Sequence, residues 1–252
     1  MIICYFTATG NCLYVSRRIG GELLSIPKLM REEKIEITDD AVGVVCPVYC
    51  GEMPKMVREF LLKASIKTDY FFFVYTYGMA DSVAKPNAIA AAQDGGLTVS
   101  YVNTLKMVDN FLPGFEMQNQ MDTVGEKKIE EHLEQICRDI AARTVNAKPV
   151  GVSDKLKMKV IRDTMGKSIL KGTAAQSYIV NDDCIRCGIC AKVCPANNIT
   201  VTDKVTFGDR CEVCYACLHN CPKNAIHLKN EKSAVRFRNE NVTVKDIISA
   251  NE

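Results

Sequence analysis

Cys184-Ile-Arg-Cys187-Gly-Ile-Cys190-Ala-Lys-Val-Cys194-Pro195 and Cys211-Glu-Val-Cys214-Tyr-Ala-Cys217-Leu-His-Asn-Cys221-Pro222 are one pattern, C-x₂-C-x₂-C-x₃-C-P, written twice. Three thiolates spaced by two residues wrap a short loop around one corner of an iron–sulfur cubane. The three-residue step then begins a helical turn that carries the fourth thiolate to a second cubane, and the proline ends that turn. Zinc modules also use C-x₂-C, but as two pairs of ligands rather than triplets trailed by C-P. A cluster serving only as a structural staple is the other alternative, and an oxygen-sensitive one.

The repeat extends beyond the cysteines. A shift of 27 residues carries Cys184 onto Cys211, Tyr178-Ile-Val180 onto Val205-Thr-Phe207, Asp182 onto Asp209, and Pro195-Ala-Asn197 onto Pro222-Lys-Asn224. Each half reads as a strand, a cluster loop, a helical turn and a returning strand. Because the fourth ligand crosses over, one [4Fe–4S] cluster is expected on Cys184, Cys187, Cys190 and Cys221. The other is expected on Cys211, Cys214, Cys217 and Cys194. His219 reads as a packing or sulfur-bonding residue and not a ligand.

Outward from this core the composition is ordinary. The 252 residues are 47% hydrophobic and 25% charged, with a net charge of +2. That balance gives no signal for nucleic acid or an anionic membrane. The apolar run Met1–Phe6 is too short for an export signal, and no window approaches the length of a membrane span. A cytoplasmic protein is expected, in which thirteen cysteines point to metal rather than disulfides. Cys4, Cys46 and Cys137 read as small buried hydrophobes, Cys50 as a thiol in a ligand loop, and His132 as a surface residue.

Residues 1–145 alternate two patterns. Ile2–Phe6, Ala41–Cys46, Tyr70–Tyr75 and Leu97–Val102 are short apolar runs suited to strands buried on both faces. Val15, Ile19 and Leu23, then Val57, Phe60 and Leu61, then Ile129, Leu133, Ile136 and Ile140 mark helix faces. The alternation predicts a parallel sheet wrapped by helices, with ligands beyond the carboxyl ends of the strands. There lie Thr7-Ala8-Thr9-Gly10-Asn11-Cys12, Pro47-Val48-Tyr49-Cys50-Gly51-Glu-Met-Pro54 and Thr76-Tyr77-Gly78. The first has hydroxyls and a glycine at a helix start but no lysine and no Walker pattern, so a phosphate held by neutral groups is expected. The other two each carry a glycine for close approach and a tyrosine able to cover a flat ring.

These three loops resemble the phosphate loop and ring-flanking loops of flavodoxins, and nearly the whole chain resembles flavodoxin-fused two-cluster ferredoxins. The resemblance implies an α/β flavodoxin-like, doubly wound parallel sheet (residues 1–145) and a small α+β bacterial-type ferredoxin domain (177–230). Between them lies a basic connecting segment (146–176), and a C-terminal segment (231–252) follows. It implies that Thr7, Ala8, Thr9, Gly10, Asn11 and Cys12 hold the phosphate of FMN. Pro47, Val48, Tyr49 and Gly51 would line one side of its ring, and Thr76, Tyr77 and Gly78 the other. Cys12 stands where flavodoxins often have threonine, so its backbone N–H has to serve.

Residues 146–172 carry seven basic and two acidic side chains, including Lys155, Lys157, Lys159, Arg162, Lys167 and Lys171. Interleaved Met158, Val160, Ile161, Met165 and Ile169 suggest a helix between the domains with a solvated or partner-facing basic side. Asp109–Phe115 reads as a wall of the ligand site. Functionally, the expectation is electron transfer linking one-electron carriers to a two-electron acceptor, within one chain or across a homodimer. The partner is a redox protein or a small-molecule acceptor. An FMN-dependent reductase of a quinone, nitro compound, enone or flavin is the alternative, and a sensor without FMN a third. The absence of a recognisable acid–base pair favours the carrier.

Overall fold

The computed structural model describes residues 1–166 and 172–252, so Lys167, Ile169 and Lys171 lie outside the described residues, as does the side chain of Met165. In chain order, β1 (Ile2–Tyr5), α1 (Asn11–Ile19), β2 (Glu22–Ser25) and α2 (Ile26–Leu29) come first. β3 (Glu36–Thr38), β4 (Ala41–Pro47), α3 (Lys55–Lys63), β5 (Ser65–Lys67) and β6 (Tyr70–Tyr77) follow. α4 (Ala84–Asp94), β7 (Tyr101–Lys106), α5 (Met117–Asp122), α6 (Ile129–Ala141) and α7 (Val152–Ile161) complete the N-terminal part.

Five of these strands form a parallel sheet in the order β2-β1-β4-β6-β7. Counted among themselves they run 2-1-3-4-5, so the chain reverses its direction of winding between β1 and β4. The loops leaving those two strands therefore diverge and open a crevice. β4 and β6 are buried along nearly their whole length, as continuous apolar runs dictate. α1 packs with α6, and α2 and α4 pack against α3.

The boundaries differ from expectation in two places. Leu97 does not start a strand, because its N–H closes the end of α4 on the Ala92 carbonyl; the ladder begins where Tyr101 aligns with Phe72. Leu23 lies on β2 rather than on the first helix face, because Gly20 and Gly21, at φ 86° and 96°, end α1 after Ile19.

The cysteine-rich part is built from short pieces: β8 (Ile179–Val180), α8 (Ile189–Lys192), β9 (Ile199–Val201), β10 (Val205–Phe207), α9 (Ala216–His219) and β11 (Ile226–His227). β9 pairs with β10, and β8 with β11, both antiparallel. The repeat is written in the backbone. Arg186 and Val213 both have φ 53°, Gly188 and Tyr215 have 78° and 58°, and Asn197 and Asn224 have 48° and 49°. α10 (Val244–Asn251) then returns to the N-terminal sheet, packing against α2. Val193, Cys214, Ala216, Val242 and Ile247 belong to the same buried core as the sheet, so the two parts share one apolar interior. Among the described residues no helix is long and apolar enough to cross a membrane.

Candidate functional site

Three loops meet at the carboxyl ends of the sheet. In the first, Gly10 at φ 100° precedes α1, which has no side-chain cap. Its carbonyls are taken up from outside: Asn251 Nδ2 donates to Thr7 O (3.4 Å), Asn220 Nδ2 to Ala8 O (3.3 Å) and the Asn239 N–H to Thr9 O (2.8 Å). Among the described residues no backbone carbonyl accepts from the N–H groups of Thr9 to Cys12, and the Thr7 hydroxyl is buried without a partner. Such a row of unanswered donors at a helix start is what an anion neutralises. Gly10 is needed here: besides its φ, a Cβ would stand 2.9 Å from Val242 Cβ and 3.0 Å from Asn239 Cβ.

The second loop turns tightly. Tyr49 and Glu52 exchange backbone hydrogen bonds across Cys50 (φ 51°) and Gly51 (φ 80°), two positive values that a primed turn requires. Glu52 is buried and held by Arg58 (2.8 Å) and Arg162 (3.1 Å), while the Gly51 carbonyl accepts from Asn87 Nδ2 (3.3 Å). Thr7–Thr9, Asn11, Cys12, Pro47–Tyr49, Thr76–Gly78 and Val108–Asn110 line one cavity of about 50 Å³. Gly51 does not line it, being packed against Val83 and Ile161. The Cys12 thiol, pushed up to about 12 by burial, lies 3.1 Å from the Thr76 hydroxyl and ties the first loop to the third. Asn11 and Val108 also line a larger cavity of about 530 Å³, walled by Met107, Met121 and Phe237 and rimmed by Lys128 and Arg238.

The eight clustered cysteines fall into two groups. Cys194, Cys211, Cys214 and Cys217 line one small cavity. The Cys190 thiol, raised to about 11 chiefly by burial, is further raised by Cys221, Cys184 and Cys187. Each motif's fourth cysteine receives a backbone N–H from four residues on: Asn198 to Cys194 Sγ (3.4 Å) and Ala225 to Cys221 Sγ (3.3 Å). Cys187 is exposed and Cys184 half-buried beside the 59% exposed Ile185, whereas Cys194, Cys214 and Cys217 are buried. Among the described residues no three His, Cys, Asp or Glu side chains gather as they would around a single metal ion. Of the scattered cysteines, Cys4 and Cys46 are fully buried as expected, but Cys137 is half-exposed, its thiol directed to the Arg18 carbonyl (3.6 Å).

Two side chains from the second motif fasten it to the sheet. Glu212 accepts the Met56 N–H (3.2 Å) and so caps α3, which has no cap of its own; burial pushes its carboxyl up to about 7. His219 bonds protein groups, not sulfur. Nδ1 accepts the Phe237 N–H (3.0 Å) and Nε2–H donates to the Asn110 carbonyl (2.9 Å), with burial holding the ring neutral at a pKa of about 4. Replacing His219 by alanine leaves both backbone groups unpaired and should cost about 2 kcal/mol, read as a lowered denaturant midpoint. A glutamine offering one donor and one acceptor should recover part of it.

Sequence reasoning missed Glu212, Asn220, Asn239 and Asn251, each a lone polar residue whose partner lies far along the chain. The basic segment forms α7 with Met158 buried, Ile161 against Gly51, and Val152, Leu156 and Val160 exposed. His132 is exposed, as expected.

No curated protein matches the chain. Residues 177–200 match the family model described as a 4Fe-4S binding domain. With the cysteine geometry above, these residues make an iron–sulfur, ferredoxin-like electron-transfer region beside an α/β parallel-sheet domain.

Proposed function

We propose that the chain moves electrons between two [4Fe–4S] clusters and FMN, joining one-electron carriers to a two-electron acceptor. The observation that carries this reading is the meeting of the two sites. Tyr49, in the second sheet loop, is half-buried with its hydroxyl enclosed, and it packs against the core that holds Cys214, whose thiol helps to raise the Tyr49 hydroxyl above its usual range. This packing of Tyr49 on the core around Cys214 supports a path from the second cluster to the ring. Cluster one, on Cys184, Cys187, Cys190 and Cys221, is the exposed port, and cluster two, on Cys194, Cys211, Cys214 and Cys217, the inner relay.

FMN is supported by chemistry at its phosphate end. The strand order and switch point are those of flavodoxin-type sheets. The orphaned Thr7 hydroxyl and uncapped α1 suit a phosphate, and about 50 Å³ gives it room. The ring would then lie outside that cavity, along the half-buried rim of Val48, Cys50, Tyr77 and Gly78. FMN supplies chemistry that can exchange one or two electrons. The chain's part is to hold the anion with Thr7 and the α1 amides, to flank the ring, and to keep cluster two against the second loop through Glu212.

Reduction of a small molecule is the second reading, favoured by the 530 Å³ cavity that shares Asn11 and Val108 with the first loop. Both readings are tested by iron, sulfide and released-flavin analysis of anaerobically purified protein. About eight iron and one FMN per chain are expected. About four iron would remove the second cluster, and iron without flavin would end every role assigned to Thr7–Cys12.

A further inference from the structure

The wall formed after β7 brings one carboxyl into the three-loop cavity. Asp109 is half-buried there, its Oδ1 accepting the Phe111 N–H (2.9 Å) and its carboxylate also accepting from the Met79 backbone. Its own N–H donates to Gln120 Oε1 (3.4 Å). Gly78 is what admits it, since a Cβ at that position would overlap the Asp109 carboxyl. The glycine of the third loop therefore makes room for an acid, a reason the sequence did not reveal.

The groups around Asp109 are few. From the second loop comes the Cys50 thiol, from the third loop Tyr77, and from the turn Val124–Lys127 the ammonium of Lys127, with Lys106 beside it. No ion pair engages Asp109 among the described residues, and burial is the main influence on it, raising its carboxyl above the usual range. Met79, 69% exposed, and Phe111, 41% exposed, flank it at the surface, so water can reach the acid.

Resting on the FMN reading, we propose that Asp109, which abuts Gly78 at the rim of this cavity, is the proton donor when two electrons reduce a flavin lying along that rim. Each cluster supplies one electron and is oxidised by one. Asp109 supplies one of the two protons consumed, water supplies the other, and water then reprotonates the carboxylate. A positioned acid of this kind is the part that a reductase needs and a simple carrier lacks.

The test uses flash photoreduction of the anaerobic holoprotein, following flavin bleaching from pH 5 to 9, with flavin content measured in every sample. In the wild type the bleaching rate should fall as pH rises through the titration of the carboxyl. Asp109→Asn should be slower by about 100-fold with a flat profile, and Asp109→Glu should restore most of the rate and the slope. Infrared difference spectra should show a protonated-carboxyl band lost on reduction in the wild type and absent from Asp109→Asn. An Asn variant with one FMN per chain and the wild-type rate and profile would overturn the role of Asp109 while leaving FMN in place. Wild-type protein with iron but no flavin would instead overturn the reading beneath it. If Asp109→Asn does not fold, Gly78→Ala, whose methyl takes the carboxyl's space, must lose the same band and slope; their retention would also overturn the proposal.

Discussion

Under the proposed two-cluster assignment, replacing Cys221 by alanine should destroy the cluster of the first cysteine motif and spare that of the second, halving iron from about eight to about four per chain. Cys194→Ala should do the reverse. The ground is the crossing: Cys194 lines a cavity with the triplet of the second motif, and Cys221 helps to raise the Cys190 thiol of the first. Double variants separate this from simple damage. Cys221→Ala with Cys184→Ala should lose no more iron than Cys221→Ala alone, because both ligands serve one cluster. Cys221→Ala with Cys211→Ala should lose nearly all of it. The opposite pattern would mean that each motif closes its own cluster. Cys194→Ala should also lower stability more than Cys221→Ala, because Cys214, assigned to the same cluster as Cys194, belongs to the core shared with the sheet.

The largest effect on the sheet itself is expected at Gly43. It lies in β4 opposite Phe72 of β6, and the fully buried Phe72 ring lies across it, in the space that a side chain would occupy. An aromatic ring covering a strand glycine buries backbone that would otherwise lack a neighbour. Gly43→Ala forces the methyl into that ring, and Phe71, Phe73 and Tyr75 leave the strand little freedom to shift. Overpacking of this kind costs about 3 kcal/mol, or roughly 10 °C in Tm for a chain of this size. Phe72→Leu in the same chain should recover part of the loss, since the two changes act on one space. A shift of Tm below about 2 °C in Gly43→Ala would mean that the ring moves aside freely.

What the sequence disclosed, it disclosed through spacing. The doubled cysteine motif has a rigid period, and the loops at residues 7–12, 47–54 and 76–78 follow continuous apolar strands, so both were readable and the structure brings the three loops together. Leu97–Val102 misled because β-branched and aromatic residues look alike whether they end a helix connection or begin a strand. β2 was missed because four residues at a sheet edge, half-exposed, carry no continuous apolar run. Tyr215 stands where the first repeat has Gly188, and nothing in its type announces a left-handed conformation. That backbone costs energy, and its ring packs between Phe111, after β7, and Tyr178, before β8, at centroid distances of 6.0 and 6.3 Å. Asp109 was legible only as part of a wall, because its significance depends on the absence of a side chain at Gly78.

The asparagines that grip the first loop have a bearing on how the protein is made. The groups that bond the carbonyls of Thr7, Ala8 and Thr9, on Asn251, Asn220 and Asn239, are synthesised more than 200 residues after that loop. A nascent chain ending near residue 145 has the strands of the sheet but none of these clasps. Translation thereby sets the order of synthesis: all eight clustered cysteines are made before the last of the three clasps on the first loop, Asn251.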